Sequence, residues 1–537
     1  MTDRRNDREA DRLAAEAAAV LQGADDRRRR GAFFTPPDVA AALVGHVVGG
    51  GTVVDPACGA GVFLLAAARR LYEDGCADRR TLVRRCLFGA DVDSASVVAT
   101  RRILAAWAGV DPDEVVGVVV GDPLRDGSSV WPDRPPDGFD SVVGNPPFLG
   151  QLRSSTARTD RDRALLGERF GSLMGAYTDA AWLFLSVGLD LLAPGGRLVL
   201  IQPQSVLAAR DAGPVRDQLA AEGRLVGLWL DRSRVFAGRT EVCAPIVERR
   251  IRAGGPDPEV LLLADRRVEP AGTVPAPVAG RPWGPLVAGL LGIPAVPRAG
   301  PETVVDRAAV TAGFRQHYYG LVGAVHERTG PDDDRPPLVT TSAVDPLRCR
   351  WATAPCRFDG RRWCAPVVDR AAVAARSPEV AAWLDRRRRP KLLVATQTAI
   401  LEVVVDPVGD LVPLTPLIVV EPEVDDLWHL AATLSAPVTA ARAARRSVGA
   451  ARTAGRIKLS AGQVAALPLP TDRGAWDTGA QMPKGCTISG PVPRRRPGWL
   501  SATPWVGHTA CTTRTSFRGG GAAIRPGGML DPRRLNT

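Results

Sequence analysis

The sequence predicts an α/β, Rossmann-like sheet followed by a second, mixed α+β domain. Three observations carry this prediction. Residues 52–65 read as strand, Gly-rich turn and helix, Thr52-Val53-Val54-Asp55-Pro56-Ala57-Cys58-Gly59-Ala60-Gly61 leading into Val62-Phe63-Leu64-Leu65. Three successive apolar runs each end in an acid, at Asp55, Asp91 and Asp122. A fourth run, Phe139-Asp140-Ser141-Val142-Val143, ends in Gly144-Asn145-Pro146-Pro147-Phe148, where two prolines stop any ladder or helix.

The chain has 537 residues, enough for at least two domains with proper cores. With 45% hydrophobic and 24% charged residues, the composition is that of a globular protein. No signal peptide and no long uncharged apolar span are evident, so the expectation is a cytoplasmic protein without a membrane partner. The nine cysteines are scattered, and Cys349, Cys356 and Cys364 lack the paired spacing of a zinc site, so no metal is expected. The net charge of +11 is uneven: residues 474–537 hold nine Lys and Arg against two Asp, or +7. The rest of the chain is only mildly basic, which makes charge weak support for a nucleic-acid partner.

In chain order, residues 1–30 read as an Ala-rich, solvated helical arm ending in four arginines at 27–30. Residues 31–253 form the first domain, opening with Phe33-Phe34-Thr35-Pro36-Pro37 and a helix over 39–48. The Gly-rich turn lets a backbone approach a ligand closely, but its pattern is not G-x-G-x-x-G and an acid precedes it. A carboxylate repels a pyrophosphate and suits a cationic or amino-bearing ligand, which points away from NAD. Asp91 stands where an α/β nucleotide site places a carboxylate for ribose hydroxyls. One strand-end Asp is more often a turn residue; three in register imply a polar crevice. Asn145 at the fourth strand end offers a planar amide, followed by an aromatic ring, to a planar base bearing an amino group. Taken alone, this segment is equally a Pro-rich turn.

Together these residues resemble a known family. Asp55 to Gly61 with Asn145 to Phe148 is similar to the S-adenosylmethionine site and catalytic loop of DNA adenine-N6 methyltransferases. The order of parts resembles the gamma class, which includes type I and type IIG modification enzymes with a C-terminal target-recognition domain. The likeness runs on through a helix over 177–192, the turn Pro194-Gly195-Gly196, a strand over 197–203, and two last strands at 229–230 and 243–247. It implies an S-adenosylmethionine cofactor held by Thr35, Asp55, Ala57, Gly59 and Gly61, with Asp91 on the ribose and Asp122 on the cofactor's adenine amine. It further implies catalysis by Asn145, Pro146, Pro147 and Phe148, the first two binding the target N6 amine. Phe148 and Phe236 would stack on the flipped base. Phe148 departs from the commoner Tyr, but stacking needs only the ring.

Residues 254–304, rich in Pro and Gly, read as a linker with short elements. Residues 305–472 alternate short strands and turns and loosely resemble a target-recognition domain, in which Arg386, Arg387, Arg388 and Lys391 are candidate DNA contacts. His317, Tyr318 and Tyr319 read as packing residues before DNA contacts. Residues 473–537 show little apolar periodicity and are expected to be a disordered basic tail. The expected function is site-specific methylation of double-stranded DNA at adenine N6, in restriction-modification or phage defence. No nuclease region is evident, so cleavage would fall to a separate restriction or defence subunit. Two alternatives stay open: an RNA adenine or protein glutamine methyltransferase, and an inactive, cofactor-responsive DNA-binding subunit.

Overall fold

The computed structural model describes residues 2–21, 35–148, 160–175, 177–233, 235–236, 240–252, 254–313, 315–423, 425–450 and 456–486. Short β-branched runs become the central strands. These are β1 (Val53–Asp55), β2 (Leu87–Asp91), β3 (Val118–Val120), β4 (Phe139–Gly144) and β5 (Leu192–Leu200). They are followed by β6 (Gln202–Pro203), β7 (Gly223–Leu230), β8 (Val242–Arg249), β9 (Val260–Ala264) and β10 (Glu269–Val274). All ten join one sheet in the order β3-β2-β1-β4-β5-β8-β7-β9-β10, with β6 paired to β8. The strands from β3 to β5 run parallel, and β8 is antiparallel to both β5 and β7. The chain reverses its direction of travel across the sheet between β1 and β4. That is the switch point at which open α/β sheets hold ligands beyond their strand carboxyl ends.

Both faces are covered, which is why the central strands are continuous apolar runs rather than alternating ones. Helices Pro37–Gly45, Val62–Glu73 and Ser94–Ala108 bury Leu43, Phe63, Leu64, Ile103 and Trp107 on one face. Helices Ala180–Leu191 and Gly213–Glu222 bury Leu183, Val187 and Leu219 on the other. The N-terminal helix Thr2–Leu21 is docked rather than solvated, because it packs along Ser94–Ala108 and buries Ala10. Arg79 clamps it there. Its guanidinium lies 4.8 Å from the Tyr72 ring and 4.7 Å from the Trp107 ring, and it donates to Asp7 at 3.1 Å. The arginines at 27–30 lie outside the described residues.

Two boundaries expected from the sequence move. The stretch 254–304 is not only a linker: β9 extends the sheet parallel to β7, and β10 closes its edge as the hairpin partner of β9. So β7 and β8 are not the last strands. The predicted tail begins with a helix, Arg473–Cys486, which lies on helix Leu427–Ser435. Its Trp476 is buried and donates to Thr433 Oγ1 at 2.7 Å. Ala480 and Pro483 are buried on the same face, so a short stripe led by one large aromatic with a satisfied N–H seats the helix. Residues 487–537 lie outside the described residues. Among the described residues no helix is long and apolar enough to cross a membrane.

The second half builds an antiparallel sheet in the order Ala308–Ala312, Ile418–Pro422, Lys391–Ala395 and Glu402–Asp406. Its apolar face, with Leu392, Val394, Ile418 and Val420, belongs to the same buried cluster as Leu198 and Leu200 of β5. The join is close. Trp283 N donates to Leu207 O at 2.7 Å, and a Cβ on Gly284 would lie 2.6 Å from Val448 O. At Gly449, with φ +84°, a Cβ would collide with the carbonyl of Gln204. Both glycines allow backbone to meet backbone where the two halves touch. Gly449→Ala is therefore expected to cost roughly 2 kcal/mol or more, from strain plus lost docking. A thermal melt would show it as a lowered or split transition; an unchanged melt would mean that the join is not tight.

Candidate active site

The Gly-rich turn is held from three sides. Gly59 and Gly61 have φ of +51° and +73°, and a Cβ on Gly61 would stand 2.8 Å from Thr100 Cγ2. Thr100 Oγ1 donates to Gly59 O at 2.8 Å, and Cys58 N donates to Ala90 O at 2.9 Å. Asp91, at the end of β2, accepts from Gly59 N on Oδ2 at 2.9 Å and from Asp93 N on Oδ1 at 2.9 Å. Asp91 thus staples the end of β2 to the turn after β1. Asp122 caps the helix Pro123–Asp126, accepting from Leu124 N at 3.1 Å. Asp91, Asp122 and Ala57 share one pocket of about 310 Å³, whose other walls include Val92, Pro147 and Phe184.

Asp55 is enclosed, with 2% of its surface exposed. Its Oδ1 accepts from Ala57 N at 3.0 Å, and a Cβ on Gly144 would lie 2.5 Å from that same oxygen. The carboxyl therefore rests on the backbone at the end of β4, one residue before Asn145. Only glycine fits there. Burial pushes the Asp55 acid up to about 8, against the pull of the Ala57 N–H and with the nearby Asp91 charge adding to the rise. Burial also pushes the Cys58 thiol well up, so it is not a reactive thiolate.

At the end of β4, Asn145 Nδ2 donates to Thr35 Oγ1 at 3.0 Å, and Thr35 is buried. This bond spans 110 residues and fixes the amide plane through its nitrogen end. Sequence reasoning put Thr35 beside the cofactor and missed its grip on Asn145. It also missed Thr100, Gly144 and Phe184, which carry no local signal because each matters only through a distant neighbour. Phe148 packs on the edge of the apolar layer that contains Val53, Val143 and Phe236. Phe236 itself is 6% exposed, so its ring is shut into that layer and presents little surface for stacking. Arg234 and residues 237–239 around it lie outside the described residues, as do Phe33 and Phe34.

The candidate DNA contacts divide. Lys391 is fully buried and donates to Asp406 Oδ2 at 2.5 Å and to Gly409 O at 3.0 Å, so it pins a turn and does not face a phosphate. Arg387 is paired with the buried Glu421. Both expectations are corrected, because a buried carboxylate, Asp406 for Lys391 and Glu421 for Arg387, needs a cation beside it and takes these two inward. Arg386 and Arg388 remain exposed. His317 stacks on Trp383 with ring centroids 4.2 Å apart, and Tyr318 packs on Phe358, as packing residues do.

Comparison with known proteins gives a matching family model, a relative and similar structures. Residues 21–246 match the family model described as N-6 DNA Methylase. The Type II methyltransferase M.TthHB8I of Thermus thermophilus is 29% identical over 209 residues. That match covers 38% of this chain and 40% of the relative, so the chain spans about two-fifths of that protein's length. Two solved structures are similar over 89% of the chain. The Type IIL restriction-modification enzyme MmeI in complex with DNA has a TM-score of 0.51 at 13% identity, over 69% of its own chain. The DrdV–DNA complex has a TM-score of 0.52 at 10% identity, over 59% of its own chain. At these identities the likeness is one of fold, and it includes the second half. The first domain, a Rossmann-like sheet, is the part that the N-6 DNA Methylase model covers.

The enclosure of Asp55 has a measurable consequence. The unfolded chain ionises this acid near its ordinary value of 3.8, while the folded protein keeps the proton until about 8. The native state binds the extra proton between these values, so the Asp55 contribution to stability falls as pH rises through that window and levels off above it. Asp55→Asn, which keeps the acceptor for Ala57 N, is expected to lose that slope. Its melting temperature should gain on wild type as pH is raised from 4 to 8; parallel curves would contradict the enclosure.

Proposed function

We propose that this protein transfers a methyl group from S-adenosylmethionine to the N6 amine of adenine in double-stranded DNA. The setting is restriction-modification or phage defence, and the domain from residue 305 to 472 selects the sequence. The observation that carries this reading is the Asn145 amide, held by Thr35 at the mouth of the sheet beside an acid-lined pocket.

The pocket residues fit the cofactor by chemistry. Asp91 and Asp122 line the pocket with Ala57 and would accept from ribose hydroxyls and an adenine amine. Thr35 and the Gly59–Gly61 turn lie outside its lining and would bound the amino-acid end, with the enclosed Asp55 acting through the turn rather than by contact. When bound, S-adenosylmethionine supplies an electrophilic methyl on a sulfonium. The chain's own work is positional. An exocyclic adenine amine is a poor nucleophile, because its lone pair is delocalised into the ring. With Thr35 engaging the nitrogen end of Asn145, the acceptor that the amide presents to substrate is Oδ1. That oxygen and the Pro146 carbonyl would accept the two amine hydrogens and favour a pyramidal nitrogen with its lone pair localised. Pro146 and Pro147 stiffen the segment, so little reorganisation is needed when the base arrives. The base leaves the duplex at a cost of roughly a few kcal/mol, which stacking on Phe148 partly offsets.

The test is methyl transfer to duplex DNA, read by radiolabelled methyl incorporation and by single-molecule sequencing of the product. Wild type should deposit N6-methyladenine in one short motif. Asn145→Ala should lose about 100-fold or more in rate, as expected for removal of a preorganised polar contact, while still binding cofactor. Thr35→Val, which leaves the amide but frees its plane, should lose roughly tenfold. Modified RNA or protein in place of DNA, or no modification by soluble wild type, would overturn the reading.

A further inference from the structure

The second half carries a cationic ribbon that the catalytic reading leaves unused. Strands Cys356–Phe358 and Arg361–Trp363 pair antiparallel, with Cys356 opposite Trp363, Arg357 opposite Arg362 and Phe358 opposite Arg361. Asp359 and Gly360 make the turn at φ of +50° and +70°. Two positive φ values in a two-residue loop match the natural twist of the strands and give a well-defined hairpin. One face is anchored. Cys356 and Phe358 are buried, the Phe358 ring lies 4.9 Å from Tyr318, and Trp363 Nε1 donates to Phe358 O at 3.0 Å. Asp359 N donates to the Tyr318 hydroxyl at 3.0 Å, which ties the tip to the helix Arg315–Leu321.

The other face is unusual. Arg357 and Arg362 are exposed and directly opposite one another on this face, while the exposed Arg361, opposite Phe358, stands beside the turn on the anchored side. Like charges facing each other across a ladder oppose hairpin formation. Several arginines elsewhere in this half have acidic partners: Arg335 with Asp333, Arg350 with Asp345, Arg370 with Asp385, and Arg387 and Arg389 with Glu421. Among the described residues, none of the three hairpin guanidiniums has one. A rigid ribbon with an unneutralised arginine face is complementary to a polyanion. A major groove about 12 Å wide admits a two-stranded ribbon, and the arginine fork matches both guanine O6/N7 and phosphate oxygens.

We propose that the hairpin 356–363 enters the major groove of duplex DNA, with Arg357 and Arg362 as its contacting side chains and Arg361 at its tip. This rests on the DNA reading above and names the surface that would read the duplex. The four-arginine run at 386–389 is the less suitable surface, since Arg387 and Arg389 are spent on Glu421.

The test sets DNA affinity against stability in the full-length protein. Binding of a duplex carrying the methylated motif is followed by fluorescence anisotropy, beside a thermal melt, for R357A, R362A and R362E. Each alanine variant should bind about tenfold or more weakly, as for a lost bidentate arginine contact, with cofactor binding unchanged. Their melting temperatures should hold or rise, because a repulsive pair has been removed. R362E should melt highest, since the introduced carboxylate would attract Arg357, and should bind DNA worst. Affinity equal to wild type in both alanine variants would overturn the hairpin assignment, and so would a lowered melting temperature that accounts for the weaker binding. Methylation by wild type with fully active variants would overturn the hairpin alone. Hairpin-dependent binding by a wild type that modifies no adenine would overturn the methylation reading alone.

Discussion

The contact between the Asp55 carboxyl and the Gly144 backbone is the constraint on which the site depends. It joins the carboxyl ends of β1 and β4, the two central strands between which the sheet changes direction. A larger residue at 144 would push the strands apart, and with them the two things that have to meet: the Gly-rich turn after β1 and the Asn145 loop after β4. Among the described residues the acid has no cationic partner, so its enclosure costs stability as an ion and is tolerable as a neutral group. The second tie across the same gap is the Thr35–Asn145 bond. One tie acts on the backbone and the other on the side chain, and together they leave the amide little freedom.

Around this centre the structure uses glycines for closeness and carboxylates for bracing. Asp91 holds Gly59, Asp93 caps Ser94–Ala108, and Asp122 caps Pro123–Asp126. Each acid ends a strand or begins a helix, where the unsatisfied N–H groups are. The same carboxylates that border the pocket therefore also keep its walls in place. A substitution there would change ligand affinity and local order together, which is why cofactor binding and stability have to be measured side by side.

The central sheet was legible because its signals are local. Val53-Val54-Asp55, the Gly-rich turn, and Asn145-Pro146-Pro147 each combine β-branched residues with a stop within a few positions. The placement of acids at strand ends followed from these runs, whereas the order of strands across the sheet came only with the structure. What could not be read was whatever depends on a distant partner. Lys391 looked like a surface cation because Asp406, which neutralises it, is a separate element of the hairpin. Strands β9 and β10 hid in a Pro- and Gly-rich stretch, since β10 is exposed along most of its length and has no apolar pattern of its own. The helix Arg473–Cys486 was missed because its buried stripe is short, Trp476, Ala480 and Pro483, and includes a proline that argues against a helix. Phe236 was identified by type, but its enclosure is a property of the surrounding layer.

The continuous core between the two halves makes the molecule a caliper. With Trp283, Gly284 and Gly449 seated against residues 204–207 and 448, the jaw that holds Asn145 and the four-stranded sheet of the second half share one core, and the hairpin is carried beyond that sheet on a cluster of its own around Phe358. The offset between that jaw and the sheet is then a built-in length, set by side-chain packing and insensitive to bending of a linker. Such a frame would favour change by exchange of surface residues on the outer jaw, because those alterations leave the gauge untouched. An insertion in the seam would shift the gauge itself, and every position measured with it would move by the same step.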